Sequence, residues 1–347
     1  MTFHRISLGN TVFEGANNAY LFDGEATVLL DTGVAVPDTR AELNAGLREL
    51  EVEFADLDAI ILTHYHADHA GLAGELQAES GATVHAHAAD APLIAHDEDA
   101  WDDLEARQRR LFADWGMPSD AREELLAFLD AGEGMGIYGE SVDVMAFEDG
   151  DHLSFGDLAL EVRHAPGHTA GLSCFVPADA PDEIYTGDAL LPEYTPNVGG
   201  ADVRLEGALS AYVETLETLV ESDYSRAWPG HREPIDDPAA RARYILAHHE
   251  ERAYRVANAL ADAGSADTWT ISARLFGDLV DIHILHGPGE AYAHLEHLRE
   301  RGAVTADGER DEADDDASSV HYRLTDDGRS RLESLTDGRW PLSDAVR

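Results

Sequence analysis

Four side chains able to ligate a metal ion lie within six positions of the stretch Thr63-His64-Tyr65-His66-Ala67-Asp68-His69. They come directly after the apolar run Ala59-Ile60-Ile61-Leu62. Neutral imidazoles packed together need partners for every ring nitrogen, and packing alone does not supply them. A metal ion does, because zinc takes imidazole nitrogen and carboxylate oxygen readily. The competing reading is a solvated histidine-rich turn. Three further signals lie downstream, each after a strand-like run. Pro166-Gly167-His168-Thr169 follows the run at 158–163, Thr186-Gly187-Asp188 follows Ile184-Tyr185, and Pro229-Gly230-His231 follows Ala227-Trp228. Glycine ahead of a ligand lets the backbone turn sharply and present the side chain.

The elements that must position these residues alternate in type. Strand-like runs at 18–22 and 26–30 are separated by Asp23-Gly24, and the second ends in Asp31-Thr32-Gly33. A helix is expected near 38–50 from the spacing of Leu43, Leu47 and Leu50, then a strand at 58–62. After the histidine turn come a helix from about 69 to 77 and a strand at 82–86. This alternation predicts an α/β layered fold, with sites at strand ends along one sheet edge. Residues 89–133 read as an acidic helical insertion over one face. Strands are expected again at 142–147, 152–155, 158–163, 172–176 and 183–185, then a helix at 205–219 and a strand at 226–228. From 237 the pattern changes. A long helix to about 262, helices at 268–276 and 289–301, and strand-like pieces at 304 and 320–324 around an acidic loop at 309–316 outline a winged helix. We therefore expect a catalytic domain over 1–237 and a winged-helix-like domain over 238–347.

The composition describes habitat more than chemistry. The 347 residues carry a net charge of −45, and all 24 basic residues are Arg. Such an acidic, lysine-free surface resembles proteins of salt-accumulating halophiles, because self-repulsion is screened as the Debye length falls to roughly 3 Å at 1 M salt. Residues 1–237 hold 11 Arg against 48 acidic residues, and 238–347 hold 13 against 21. A net-acidic second domain disfavours nucleic acid as a partner, since such binding relies on basic patches. The single cysteine, Cys174, excludes an internal disulfide and is expected to be a small core residue. The N-terminus shows no apolar signal segment, and no run is long enough to cross a membrane. A soluble, cytoplasmic protein is expected.

The ordered motifs resemble the metallo-β-lactamase superfamily over about residues 1–235. The resemblance rests on Asp31, the histidine loop, His168, Asp188 and His231. It implies a four-layer αββα sandwich and a dinuclear site. Carried over by position, His64, His66 and His168 would hold one ion. Asp68, His69 and His231 would hold the other, and Asp188 would bridge them. Asp31 matches an early aspartate that supports the histidine loop from behind and binds no metal. Two zinc ions are the expected cofactor, with iron or manganese as alternatives.

Such a pair of ions can share a hydroxide and lower its pKa towards neutrality for attack on an acyl or phosphoryl centre. Asp68, between ligand histidines, is the candidate to orient that nucleophile and carry its proton. A familiar β-lactamase would carry Cys where this chain has Asp188, and other lactamases lack the bridging carboxylate. The resemblance therefore favours the glyoxalase II-like, lactonase-like and RNase-like branches. We expect hydrolysis of a small-molecule thioester, ester or lactone, with the glyoxalase II-like hydroxyacyl-thiol reaction favoured. The absence of Lys means that Arg would have to grip a glutathione-like carboxylate. The alternative is an endoribonuclease or phosphodiesterase of the β-lactamase-like type with a winged helix. A regulator that has lost chemistry is disfavoured because all seven ligand positions are filled.

The Pro/Gly-rich loop after Asp188 should overhang the ions, making Tyr194, Asn197 and Arg204 candidates for substrate contact or simply for holding the loop. His85, His87 and His164 read as strand or surface residues. His248, His249, His283, His286, His294 and His297 read as surface or core histidines of helices, without a carboxylate motif. The second domain is expected to close the pocket or to form a homodimer.

Overall fold

Buried aliphatic and aromatic residues at every second position build two facing sheets. The computed structural model describes residues 2–9, 15–307 and 319–343. The expected acidic loop at 309–316 lies outside them. In chain order come β1 (Thr2–Leu8), β2 (Asn17–Asp23), β3 (Thr27–Leu30), α1 (Pro37–Glu49), β4 (Ala59–Ile61), α2 (Ala67–Ala70), α3 (Ala73–Ser80) and β5 (Thr83–His87). Helices α4 (Ala91–Ile94), α5 (Glu98–Asp114) and α6 (Ser119–Gly134) occupy the expected insertion. Then follow β6 (Val144–Phe147), β7 (His152–Phe155), β8 (Leu158–His164), β9 (Ser173–Pro177), β10 (Glu183–Gly187), α7 (Ala208–Glu221), β11 (Arg226–Pro229) and α8 (Pro238–Ala263).

The first sheet has the order β1-β2-β3-β4-β5-β6 and the second β11-β10-β9-β8-β7. Tyr20, Phe22, Val28, Leu30, Ala59 and Ile61 of the first meet Leu158, Leu160, Val162, Phe175 and Tyr185 of the second. Leu29 and Ile60, on the opposite face by strand alternation, are buried too. That two-sided burial is why β3 and β4 read as continuous apolar runs. Helix α1 packs on β1 and α3 on β5, each burying an apolar stripe that includes Leu43 and Leu47, or Ala73 and Leu76. Truncating Phe175, fully buried between the sheets, would cost about 3–5 kcal/mol.

Parallel pairing carries the chemistry-bearing loops to common edges. Strands β3, β4 and β5 run parallel, with Leu30 opposite Ile61 and Ile61 opposite His85. Asp31 and the histidine loop therefore leave adjacent strand ends. In the second sheet β10 and β11 are parallel, with Gly187 opposite Pro229. Asp188 and His231 leave adjacent ends in the same way.

The compact units do not follow a linear boundary at 237. One comprises Met1–Trp101, Ala131–Pro196 and Thr218–Ala242; the other comprises Asp102–Asp130, Asn197–Glu217 and Arg243–Arg347. Most of the helical insertion and the loop after Pro196 thus cluster with the C-terminal part. A linear reading places both in the catalytic domain because it cannot see which distant segments share a core. In the second unit, α8 leads to β12 (Ala266–Asp267), α9 (Thr268–Phe276), α10 (His283–Glu300), β13 (Val304–Asp307), β14 (His321–Leu324) and α11 (Asp326–Ser334). The small sheet is antiparallel in the order β12-β14-β13. Asp267 caps α9 by accepting from Thr270 N at 2.8 Å.

Two helices depart from expectation. The helix expected at 69–77 is two pieces, α2 and α3, separated at Gly71-Leu72. A Cβ on Gly71 would sit 2.6 Å from Ala35 N and 2.7 Å from Ile137 O, so only glycine fits where these segments meet. Helix α10 starts at His283, not 289, and runs through Pro288. Pro normally stops a helix by removing an N–H. Here the flanking Gly287 and Gly289 are buried, and Gly289 packs directly on the Gly199-Gly200 backbone, so tertiary contact holds the turn.

Candidate metal centre

Within the first unit, the seven side chains singled out in the sequence converge. His64 Nε2 lies 3.0 Å from His66 Nδ1, and His168 Nε2 lies 3.1 Å from the same atom. His69 Nε2 and His231 Nε2 are 3.3 Å apart. Asp68 Oδ2 is 3.9 Å from the first of these and 3.5 Å from the second. Asp188 lies between the two sets. Its Oδ1 is 3.5 Å from His69 Nε2, and its Oδ2 is 3.4 Å from His231 Nε2 and 3.7 Å from His168 Nε2. Four donors about 2.0–2.1 Å from one ion in a tetrahedron would be separated by about 3.3–3.4 Å, which these spacings bracket. Two donor groups, His64–His66–His168 and Asp68–His69–His231, each fit one ion, and a third, His64–His69–Asp188, overlaps both.

Electrostatics supports the same reading. Three imidazole lone pairs converge in the first group, yet burial, followed by the charges of His69 and His66, holds His64 well below its usual range. A proton is therefore a poor occupant of that point. In the second group burial pushes His69 and His231 down, but Asp188, Asp68 and, for His69, Asp31 outweigh it. His69 ends well above its usual range and His231 at about 9. Burial likewise raises Asp188, and His231 and His69 reverse the effect so that it ends well below its usual range. The pocket is built for positive charge amid carboxylates. Asp188 Oδ1 is buried without a hydrogen-bond donor, as expected of an oxygen reserved for a cation.

Three of the candidate ligand histidines, His64, His69 and His231, are held from behind. Asp31 Oδ1 accepts from Thr63 N at 2.8 Å, and its Oδ2 accepts from Thr63 Oγ1 at 2.9 Å and from His69 Nδ1 at 2.9 Å. The last bond puts the His69 proton on Nδ1 and leaves Nε2 for an ion. His64 Nδ1 pairs with Thr63 Oγ1 at 3.0 Å, and His231 Nδ1 with Gly15 O at 2.9 Å. Gly230 is needed for close approach: a Cβ there would overlap Asp188 Oδ1 and His69 Cε1. Asp31 has a left-handed backbone, φ 59°, a conformation that Asp tolerates better than most residues.

Sequence reasoning missed two supports. Asn17 Nδ2 donates to Asp68 O at 3.0 Å and to Asp68 Oδ2 at 3.1 Å. The fully buried Asp90 accepts on Oδ2 from Tyr65 N at 3.1 Å and from Thr169 Oγ1 at 3.0 Å, tying the histidine loop to the His168 loop. Neither lies in a motif; for Asp90 the only signal was a carboxylate just beyond a strand end.

The other nominated residues separate. Tyr194 is half exposed in the first unit, with the Arg232 guanidinium 4.8 Å over its ring. Asn197 and Arg204 belong to the second unit. Asn197 Oδ1 accepts from Gly200 N and Ala201 N at 3.1 and 2.8 Å, and its Nδ2 donates to His286 O at 3.2 Å. Arg204 is held by the buried Asp202 at 2.7 Å. These bonds hold both side chains within that unit. His87 and His164 stack on each other at 4.1 Å, outside the metal groups. A cavity of about 280 Å³ in the first unit is lined by His96, Trp101, Gly136, Tyr138 and Gly139. A chain of ring contacts joins it to the centre: Trp101 to Tyr65 at 6.4 Å, and Tyr65 to His66 at 4.7 Å.

Two facing mixed sheets with ligand loops at their strand ends define a class, and comparison with known proteins agrees. Residues 12–231 match the model of the metallo-beta-lactamase superfamily. The chain belongs to that superfamily of hydrolases. The probable metallo-hydrolase YqjP of Bacillus subtilis (strain 168) is 26% identical over 305 residues, covering 83% of this chain and 89% of that protein. A metallo-beta-lactamase family protein of Thermus thermophilus superposes with a TM-score of 0.76 at 28% identity, covering 93% of this chain and 98% of that one. An atrochrysone carboxyl ACP thioesterase of a Cryptosporiopsis species is 22% identical, covering 75% of this chain and 62% of that protein. Among the described residues, no helix is long and apolar enough to cross a membrane.

Proposed function

We propose that this chain is a dinuclear metal-dependent hydrolase of small-molecule thioesters, esters or lactones, with a thioester the favoured substrate. The observation that carries the reading is the position of Asp188, whose two oxygens face ligand nitrogens of both donor groups. In this reading His64, His66 and His168 would hold one zinc ion, Asp68, His69 and His231 would hold the other, and Asp188 would face both. When bound, such ions acidify water and polarise an acyl oxygen.

The chain's own residues do the rest. Asn17 fixes Asp68 through Oδ2, which leaves Oδ1 to orient the attacking water and take its proton. Water adds to the acyl carbon, the carbon–sulfur bond breaks, and the proton is returned to the departing thiolate, giving an acid and a thiol. Trp101 and Tyr138 offer aromatic walls for the acyl or thiol portion, and Tyr194 an exposed ring beside the ligand loops. The name of the related thioesterase supports the thioester subtype. We further read α8, α9, α10 and the β12-β14-β13 sheet as a winged helix available for dimerisation.

The test is a hydrolysis screen of zinc-loaded protein in molar salt against thioesters, lactones, phosphodiesters and RNA. Thioester turnover abolished by Asp188→Ala is the expected result. Cleavage of RNA alone would instead establish the endoribonuclease alternative.

A further inference from the structure

We propose that His249, Glu290 and His294 form a second, separate site for one first-row divalent transition-metal ion, zinc being the fitting case, which clamps α8 to α10 in the second unit. The inference does not rest on the hydrolase reading, since none of these residues belongs to the centre described above. The sequence pattern suggested helix histidines without a carboxylate. The structure buries His249 and His294 and sets Glu290 beside them.

The three ligand atoms lie within 4.8 Å of one another. His249 Nδ1 and His294 Nε2 face each other at 3.3 Å, the edge length that a tetrahedral zinc site requires. Glu290 and His294 are four positions apart on α10 and so share a face. His294 Nδ1 donates to Glu290 O at 2.7 Å, which leaves Nε2 bare, the arrangement that metal-binding histidines adopt. Arg252 Nη1 donates to Glu290 Oε1 at 2.6 Å, and the guanidinium lies 4.6 Å over the Phe276 ring. That contact orients the carboxylate and leaves Oε2 for an ion.

Without an ion the cluster is poorly satisfied. His249 and His294 are almost wholly buried, and His249 Nε2 has no hydrogen-bond partner. A proton on His249 Nδ1 leaves Nε2 as a buried, unpaired acceptor. A proton on Nε2 leaves an unpaired donor and sets two lone pairs against each other across 3.3 Å. An ion between Nδ1 and Nε2 turns the facing lone pairs into ligands, leaving only the Nε2–H. Two imidazoles and one carboxylate select zinc or its first-row neighbours over magnesium or alkali ions. Burial makes the role structural.

The test uses the full chain. His66→Ala, Asp188→Ala and His231→Ala together remove the first centre, and cobalt(II) is then titrated in. One equivalent with the visible absorption of tetrahedral cobalt is expected, and it should be lost on adding His249→Gln or His294→Gln. No cobalt retained by the triple variant, or full retention after those additions, would overturn the proposal. Wild-type stoichiometry provides a check that needs no variant to fold: removal of all metal followed by zinc reloading should give one equivalent more than the histidine-loop centre takes, and no excess would overturn the proposal. His249→Gln in the otherwise wild-type chain should lower metal content by one equivalent while turnover changes less than twofold.

Discussion

Asp31→Asn isolates what a negative charge does for the histidine loop. Asn has the same shape and tolerates the left-handed backbone at φ 59°, so neither packing nor strain changes much. The hydrogen-bond pattern does. Asp31 accepts three bonds, from Thr63 N at 2.8 Å, Thr63 Oγ1 at 2.9 Å and His69 Nδ1 at 2.9 Å. With the amide oxygen kept on Thr63 N, the new NH2 group faces the other two donors. His69 can relieve that clash only by moving its proton from Nδ1 to Nε2, the atom that faces His231, Asp68 and Asp188. A protonated Nε2 cannot bind an ion.

The magnitude follows from the lost bonds. A hydrogen bond to a charged group contributes about 1.5–3 kcal/mol. Removing one orienting partner of a metal-binding histidine weakens metal affinity about 10–100-fold, and tenfold corresponds to about 1.4 kcal/mol, so the two estimates agree. Competition with a chelator should show Asp31→Asn binding the ion at Asp68–His69–His231 about 10–100-fold more weakly, and turnover at limiting zinc should fall in parallel. Asp31→Ala serves as a control: it adds a left-handed penalty of about 1–2 kcal/mol, visible in unfolding midpoints. If Asp31→Asn holds zinc within about twofold of wild type, the tautomer argument fails.

Gly230→Ala should empty the centre without unfolding the sheets, because its methyl group overlaps Asp188 Oδ1 and His69 Cε1; normal metal content would show that the ligands can shift freely. With a net charge of −45, the melting temperature should rise between about 0.1 and 1 M salt as the Debye length falls from about 10 to 3 Å, and indifference to salt would contradict the halophilic reading. Burial, then the neighbouring His164, holds His87 down from 6.5 to about 4. Within that window the unfolded chain binds a proton that the folded chain excludes, so stability is complete above 6.5 and declines as pH falls towards 4. In His87→Gln, urea midpoints should drop less between pH 7 and 5 than in wild type; equal drops would refute the assignment.

The legible part of this fold is the part with a short period. Strands β3 and β4 announce themselves because both faces are buried, and α1 because Leu43 and Leu47 recur on one side. The candidate ligand residues were legible for a different reason: their types are costly to bury without a cation, and each follows a strand end. Segment grouping was not legible. Residues 102–130 and 197–217 join the second unit through contacts that no local pattern encodes. The helix expected at 289–301 starts earlier, at His283, with Pro288 inside it, where Gly289 packs on the Gly199-Gly200 backbone.

The least legible residues are those that hold the ligands still. Asp90 joins the loops that carry Tyr65 and Thr169, and Asn17 fixes Asp68; Asp31, which locks His69 and Thr63, was legible only through the family resemblance. Alone, each is an ordinary polar residue near a strand end. Their importance arises only when three separate loops meet, because a ligand nitrogen is useful only if the ring's other nitrogen is tied elsewhere. The same logic applies to His294, whose Nδ1 is tied to Glu290 O. A metal site is therefore recognised more surely by how its imidazoles are anchored than by how many histidines the sequence contains.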